Sequence, residues 1–108
     1  MIHATIYHHN NEAIGFKIKS HGDPIVCAGV SALAINFLNS VEAFTPLQKG
    51  DFKAKWGNGG FIGFMLRKSD LRSDGSGLLL DSLVLGLSQI CEQYPQDMSI
   101  TYIIKERS

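Results

Sequence analysis

Charge of one sign is missing from this chain. Ten Lys and Arg residues balance ten Asp and Glu over 108 positions, a formal net charge of zero. Proteins that live on phosphate backbones usually carry a basic excess or stripe, so the sequence disfavours nucleic acid as a direct ligand. Cysteine is scarce too, at two residues, and no Cys/His cluster has the spacing of a zinc site. The neighbours His8 and His9 would point to opposite faces of a strand and could not easily share one ion. No cofactor or metal is expected. No unbroken apolar run approaches the roughly 18 residues that span a bilayer. The N-terminus lacks the basic n-region and apolar run of a signal peptide. These absences describe an expected cytoplasmic protein without a membrane partner. In that reducing compartment Cys27 and Cys91 are expected to be free thiols. A Cys27–Cys91 bridge, the alternative, would silence thiol chemistry at Cys27.

What is present fits one folded domain over residues 1–108. Hydrophobic residues make up 44% of the chain and charged residues 19%, enough for one core and too short a chain for two. Residues Ile2 to His8 alternate as a half-buried strand with Ile2, Ala4 and Ile6 on one side. Asn10-Asn11 tolerates the positive φ of a tight hairpin turn. A second strand follows with Ile14, Phe16 and Ile18 on one face and Gly15, Lys17 and Lys19 on the other. From Pro24 to about Phe44 the spacing predicts a helix whose apolar face is Val26, Val30, Leu33, Phe37, Val41 and Phe44. Thr45-Pro46 ends it. Phe52, Ala54 and Trp56 share one face of a third strand, Gly57 to Gly60 turn, and Phe61 to Arg67 return. The aromatics Phe52, Trp56, Phe61 and Phe64 read as hairpin core rather than base-stacking groups. Lys68 to Gly77 reads as a polar loop.

Leu78 to Tyr94 is a second helix with Leu79, Leu83, Leu87, Ile90 and Tyr94 as its main face. Being apolar nearly all round, it is either central or covered by a partner, which points to a homodimer. Met98 to Ile104 is the last strand. The expected fold is α+β: a five-stranded, mainly antiparallel sheet with two helices on one face, in the order ββαββαβ.

The stretch from Ser20 to Leu33 carries the chemistry. A histidine, His21, precedes a tight corner at Gly22-Asp23-Pro24, and Cys27 falls where the apolar helical pattern begins. A thiol at a helix start lies in the positive field of exposed N–H groups, which favours thiolate over thiol. A histidine beside it can take the thiol proton and return it to a leaving group. Asp23 is placed to cap the helix and, as a second role, to orient His21. The backbone N–H groups of Cys27 and Ala28 are candidate oxyanion donors. Ser31, one helical turn after Cys27, could bring its hydroxyl to the site or bond back to its own helix. Gly29, costly inside a helix by roughly 1 kcal/mol against Ala, suggests that another backbone packs close. Cys91, beside Glu92, has no obvious base and reads as structural.

The run Ile25-Val26-Cys27-Ala28-Gly29-Val30-Ser31-Ala32-Leu33, with His21 upstream, resembles the ribosomal-processing cysteine protease family (Prp, or YsxB-like). That family's pattern is approximately Gly-His-Ala, a loop, then Asp-Ile-Val-Cys-Ala-Ala-Val-Ser. Cys27 matches its nucleophile and His21 its catalytic histidine; Asp23 matches the acidic residue before Ile-Val-Cys, with Pro24 intervening. Ser20, Gly22 and Gly29 depart from the pattern, and only Gly22 to Val26 separate His21 from Cys27, where many members have a longer gating loop. The resemblance implies a homodimeric endopeptidase that removes a short N-terminal extension from a large-subunit ribosomal protein. Its partner would be that N-terminal peptide. Two other readings stay open on the sequence. One is a non-catalytic ribosome-associated binding module on the same fold, and the other a thiol-based redox or acyl-transfer protein.

Overall fold

Asn10 and Asn11 adopt positive φ, at 51° and 64°, the left-handed geometry of a two-residue hairpin. They join β1 (Ile2–His9) to β2 (Glu12–Lys19) in antiparallel register, Ala4 opposite Ile18 and Ile6 opposite Phe16. The structure, a computed structural model, describes residues 1–19, 22–57 and 60–106. The expected turn residues Asn58 and Gly59, and the last two residues, Arg107 and Ser108, lie outside the described residues. So do Ser20 and His21.

The alternation expected for β1 and β2 holds. Ile2, Ala4, Ile6, Ile14, Phe16 and Ile18 are all buried, because a period of two puts them on one face of the sheet. Helix α1 (Pro24–Phe44) packs on that face through Val26, Val30, Ala34, Phe37 and Val41. Two positions differ from expectation. Leu33 is only half-buried, its place in the stripe taken by Ala34, and Phe44 is 78% exposed. Phe44 is the last helical residue, where Thr45 turns extended and donates its hydroxyl to the Val41 carbonyl at 2.7 Å. By length and composition α1 could cross a membrane, although no unbroken run suggested it. The core helix of a folded domain passes the same test, and this one lays its stripe on a sheet.

Strands β3 (Phe52–Gly57) and β4 (Phe61–Leu66) form a second antiparallel hairpin, and β4 pairs with β2. Phe64 is the centre of an aromatic cluster. It stacks on Phe52 at 5.1 Å and meets Phe37 edge-on at 4.8 Å, while Phe37 meets Phe16 edge-on at 5.3 Å. Trp56 is a correction: it lies 60% exposed, because β3 is the sheet edge and Trp56 lines an open hollow there with Leu38 and Val41 of α1. Lys68 to Gly77 is more ordered than a polar loop. Ser69–Asp74 form a 3₁₀ turn, and Ser76 opens helix α2 (Ser76–Gln93) fully buried, its hydroxyl donating to the Leu71 carbonyl. Helix α2 starts two residues earlier than expected, and its buried face is Leu80, Leu83 and Leu87; Leu79 and Ile90 are half-buried and Tyr94 is exposed.

Strand β5 (Met98–Ile104) then pairs with β1 in parallel, Ile2 opposite Met98. The sheet order is β3-β4-β2-β1-β5. The sheet is therefore mixed, antiparallel but for one pairing. A helix between β4 and β5 returns the chain to the end at which β4 started, so the next strand must run the same way.

Candidate functional site

Asp23 ends its corner as the helix cap. Its Oδ1 accepts from the Ile25 amide at 2.9 Å and the Val26 amide at 3.2 Å. Pro24 occupies the first helical position, where no amide is needed. Cys27 is thus the fourth residue of α1, and its own N–H donates to the Asp23 carbonyl at 2.9 Å as the first bond of the helical ladder. Here the geometry departs from the expectation for the oxyanion. The Cys27 amide is already engaged, and the Ala28 amide falls one step further into the ladder, whose partner is the Pro24 carbonyl. All the first-turn donors of α1 are spoken for by Asp23.

The Cys27 side chain is half-buried against the edge of the core. Its neighbour Ile25 is 76% exposed and Val26 is buried, so the thiol stands at the boundary between core and solvent. Gly22 lies against the start of β1; a Cβ there would come within 3.5 Å of Ile2 Cγ1. The Ile2 amide in turn donates to the Asp97 carbonyl. The helix start, the start of β1 and the α2–β5 connection therefore meet at one end of the sheet. His21, the expected base, lies outside the described residues. Ser31 sits one turn along α1, half-buried, and its hydroxyl makes no hydrogen bond among the described residues.

Cys91 is distinct. Half-buried in α2, its thiol donates to the Met98 carbonyl at 3.4 Å, a structural contact between helix and strand. The two cysteines are free. Among the histidines, His9 Nδ1 pairs with the Lys105 carbonyl at 2.9 Å and His3 Nδ1 with Ser99 Oγ at 2.8 Å. The packing of Gly29 also differs from expectation. A Cβ there would meet only the tip of Ile90 at 3.6 Å; the close helix approach is instead at Gly86, where a Cβ would stand 2.9 Å from Leu33 Cδ1.

The five-stranded mixed sheet with its two helices is a fold shared with solved structures. The chain superposes with a TM-score of 0.81 on the essential ribosomal processing protease Prp of Staphylococcus aureus in complex with a covalently linked product peptide. That match covers 94% of this chain and 99% of that one at 23% identity. The same enzyme with a substrate peptide gives 0.81 at 22% identity, again over 94% and 99% of the two chains. In sequence, the ribosomal processing cysteine protease Prp of Staphylococcus aureus is 30% identical over 82 residues, 76% of this chain and 74% of that protein. A family model described as cysteine protease Prp matches residues 1–99. The chain belongs to the cysteine protease Prp family, and by family it is a cysteine-type endopeptidase.

Proposed function

We propose that this chain removes the N-terminal extension of a large-subunit ribosomal protein, with Cys27 as nucleophile and His21 as its base. The observation that carries the reading is Cys27 in the capped first turn of α1, in a chain matched by the cysteine protease Prp family over residues 1–99. The Staphylococcus aureus relative is a ribosomal processing protease, which supplies the substrate class.

In this reaction His21 takes the Cys27 proton, and Sγ attacks the scissile carbonyl carbon. The tetrahedral oxyanion collapses, the C–N bond breaks, and the histidine gives its proton to the departing amine. Water then adds to the thioester, His21 accepting its proton. The C–S bond breaks and the thiol is restored, so one peptide bond and one water yield one carboxyl and one amine. For the Cys27 amide to bind the oxyanion it must leave the Asp23 carbonyl. Asp23 Oδ1 is occupied by the cap, which leaves Oδ2 to orient His21. Ser31, whose hydroxyl makes no hydrogen bond among the described residues, is a supporting residue in this reading.

The working protein is a cytoplasmic homodimer in this reading. The exposed apolar residues Leu78 and Leu85, at 77% and 59%, sit seven positions apart on one side of α2 and form the strip a second copy would cover.

The test is cleavage of a synthetic peptide spanning the N-terminal region of the organism's large-subunit ribosomal protein, followed by mass spectrometry. Cys27→Ser is expected to lose activity by about 10³-fold or more, with Cys91→Ser close to wild type. Wild-type cleavage by Cys27→Ser removes the proposal.

A further inference from the structure

The sheet face turned away from α1 and α2 gathers positive charge that the linear sequence disperses. Strand register sets Lys17 between Thr5 and Gly63, with Lys55 beyond Gly63, and sets Lys19 between His3 and Phe61. Lys53 stands beside Met65 on the same face. The Lys105 ammonium lies over the Tyr7 ring, 5.2 Å from its centre. Five of the ten basic residues of a neutral chain thus share one surface.

Four of the ten acidic residues are engaged elsewhere. Glu12 and Asp81 bind Arg72 on the helix side, Asp23 caps α1, and Asp51 accepts from the Gln48 amide in the turn before β3. Among the described residues none of the five lysines makes a salt bridge, and no acidic side chain stands in these cross-strand rows. Glu106 follows Lys105 beyond the end of β5. Four of the lysines (Lys17, Lys53, Lys55 and Lys105) ring a hollow of about 320 Å³ with Phe61, Gly63 and Met65 in its floor. Gly63 deepens it: a Cβ there would rest 3.4 Å from the Phe61 ring and 3.6 Å from the Phe16 carbonyl.

We propose that this open sheet face binds single-stranded nucleic acid. Like charges crowded on one face are relieved by a ligand that is itself a line of anions, and binding releases its counterions. A flat sheet with an aromatic ring beside interleaved lysines offers stacking to bases and pairing to phosphates together. An acidic peptide satisfies the ammonium groups but leaves the aromatic floor without a planar partner. The face lies on the opposite side of the sheet from α1, so the inference stands independently of the Cys27 reading.

The test uses a fluorescently labelled oligouridylate of about 12 nucleotides, within the site sizes of single-strand binders. Its anisotropy is followed with the wild-type protein from about 50 to about 200 mM salt. Binding is expected to weaken with salt at a log–log slope of roughly −0.7 per phosphate neutralised. The double substitution Lys17→Glu/Lys55→Glu is expected to weaken binding at least about tenfold and to flatten that slope. Lys49→Glu/Lys68→Glu makes the same change in net charge off this face and is expected to stay within about twofold. Lys53→Gln/Lys55→Gln, both on the exposed edge strand, supplies a second and milder variant; circular dichroism melts confirm that each is folded. The proposal is overturned by absence of binding at the lowest salt, by equal losses in the two Glu pairs, or by polyglutamate of matched charge competing as well as unlabelled oligouridylate.

Discussion

Asp23 holds the start of α1 through a single carboxylate oxygen, so its substitution acts on stability and chemistry separately. Asp23→Ala is expected to lower the unfolding free energy by about 1 kcal/mol, read as a shift in the urea midpoint at unchanged slope. Asp23→Asn keeps the cap and is expected to restore stability. If the second oxygen orients His21, the Asn variant will still show a reduced kcat, and a full recovery of kcat would confine Asp23 to capping. The pairing of His21 with Cys27 has its own readout in alkylation. At neutral pH, His21→Ala is expected to slow labelling of Cys27 by iodoacetamide and to leave Cys91 unchanged, the two sites being resolved by mass spectrometry. Cys91 serves as the internal control because its thiol is committed to the Met98 carbonyl.

At the scale of elements, the two glycines of opposite surroundings test how the parts are joined. Gly29 lies in α1 with only the Ile90 tip near it, so Gly29→Ala gains helix propensity without a clash. It is expected to stabilise the fold by about 0.5–1 kcal/mol. Gly15 in β2 is the reverse case. A Cβ there would stand 2.5 Å from the Phe64 carbonyl and 2.8 Å from Met65 Sδ, and backbone cannot step aside as a side-chain tip can. Gly15→Ala is expected to destabilise by about 1–3 kcal/mol, measured by the same denaturation. The 3₁₀ turn is braced differently. Arg72, with a side chain only 12% exposed, donates to the Ala13 carbonyl and pairs with Glu12 and Asp81. Both acidic partners are more than half exposed, so the brace comes mainly from the part-buried carbonyl bond rather than from the ion pairs.

For the whole molecule, the distribution of surface matters more than any total. Apolar side chains stay exposed on α2 at Leu78 and Leu85, and on β5 at Tyr102 and Ile104. With the α2 strip as the dimer contact, Leu85→Glu is expected to convert the protein to a monomer in light scattering while its circular dichroism stays native. A wild-type protein that is monomeric at micromolar concentration would remove the dimer. The lysine face and the α2 strip lie on opposite sides of the sheet, so a dimer formed through α2 leaves both lysine faces open.

Much of this protein is set by local sequence. The hairpin turn follows from two asparagines that accept positive φ, the strands from alternation, and the start of α1 from Asp23-Pro24, because each depends on residues within a few positions of one another. The candidate thiol was legible for the same reason, its neighbours in sequence being its neighbours in the helix. Tertiary structure alone decided the rest. Whether β5 ran parallel to β1, which face of α2 turned inward, and whether Trp56 was core or edge all depended on contacts between distant segments. The lysines are the clearest case. The pairs 17/19 and 53/55 are far apart in a neutral chain, and only the pairing of β2 and β3 with β4 brings them to one face, while Glu12, Asp23, Asp51 and Asp81 are engaged at a cap, a turn and Arg72 elsewhere.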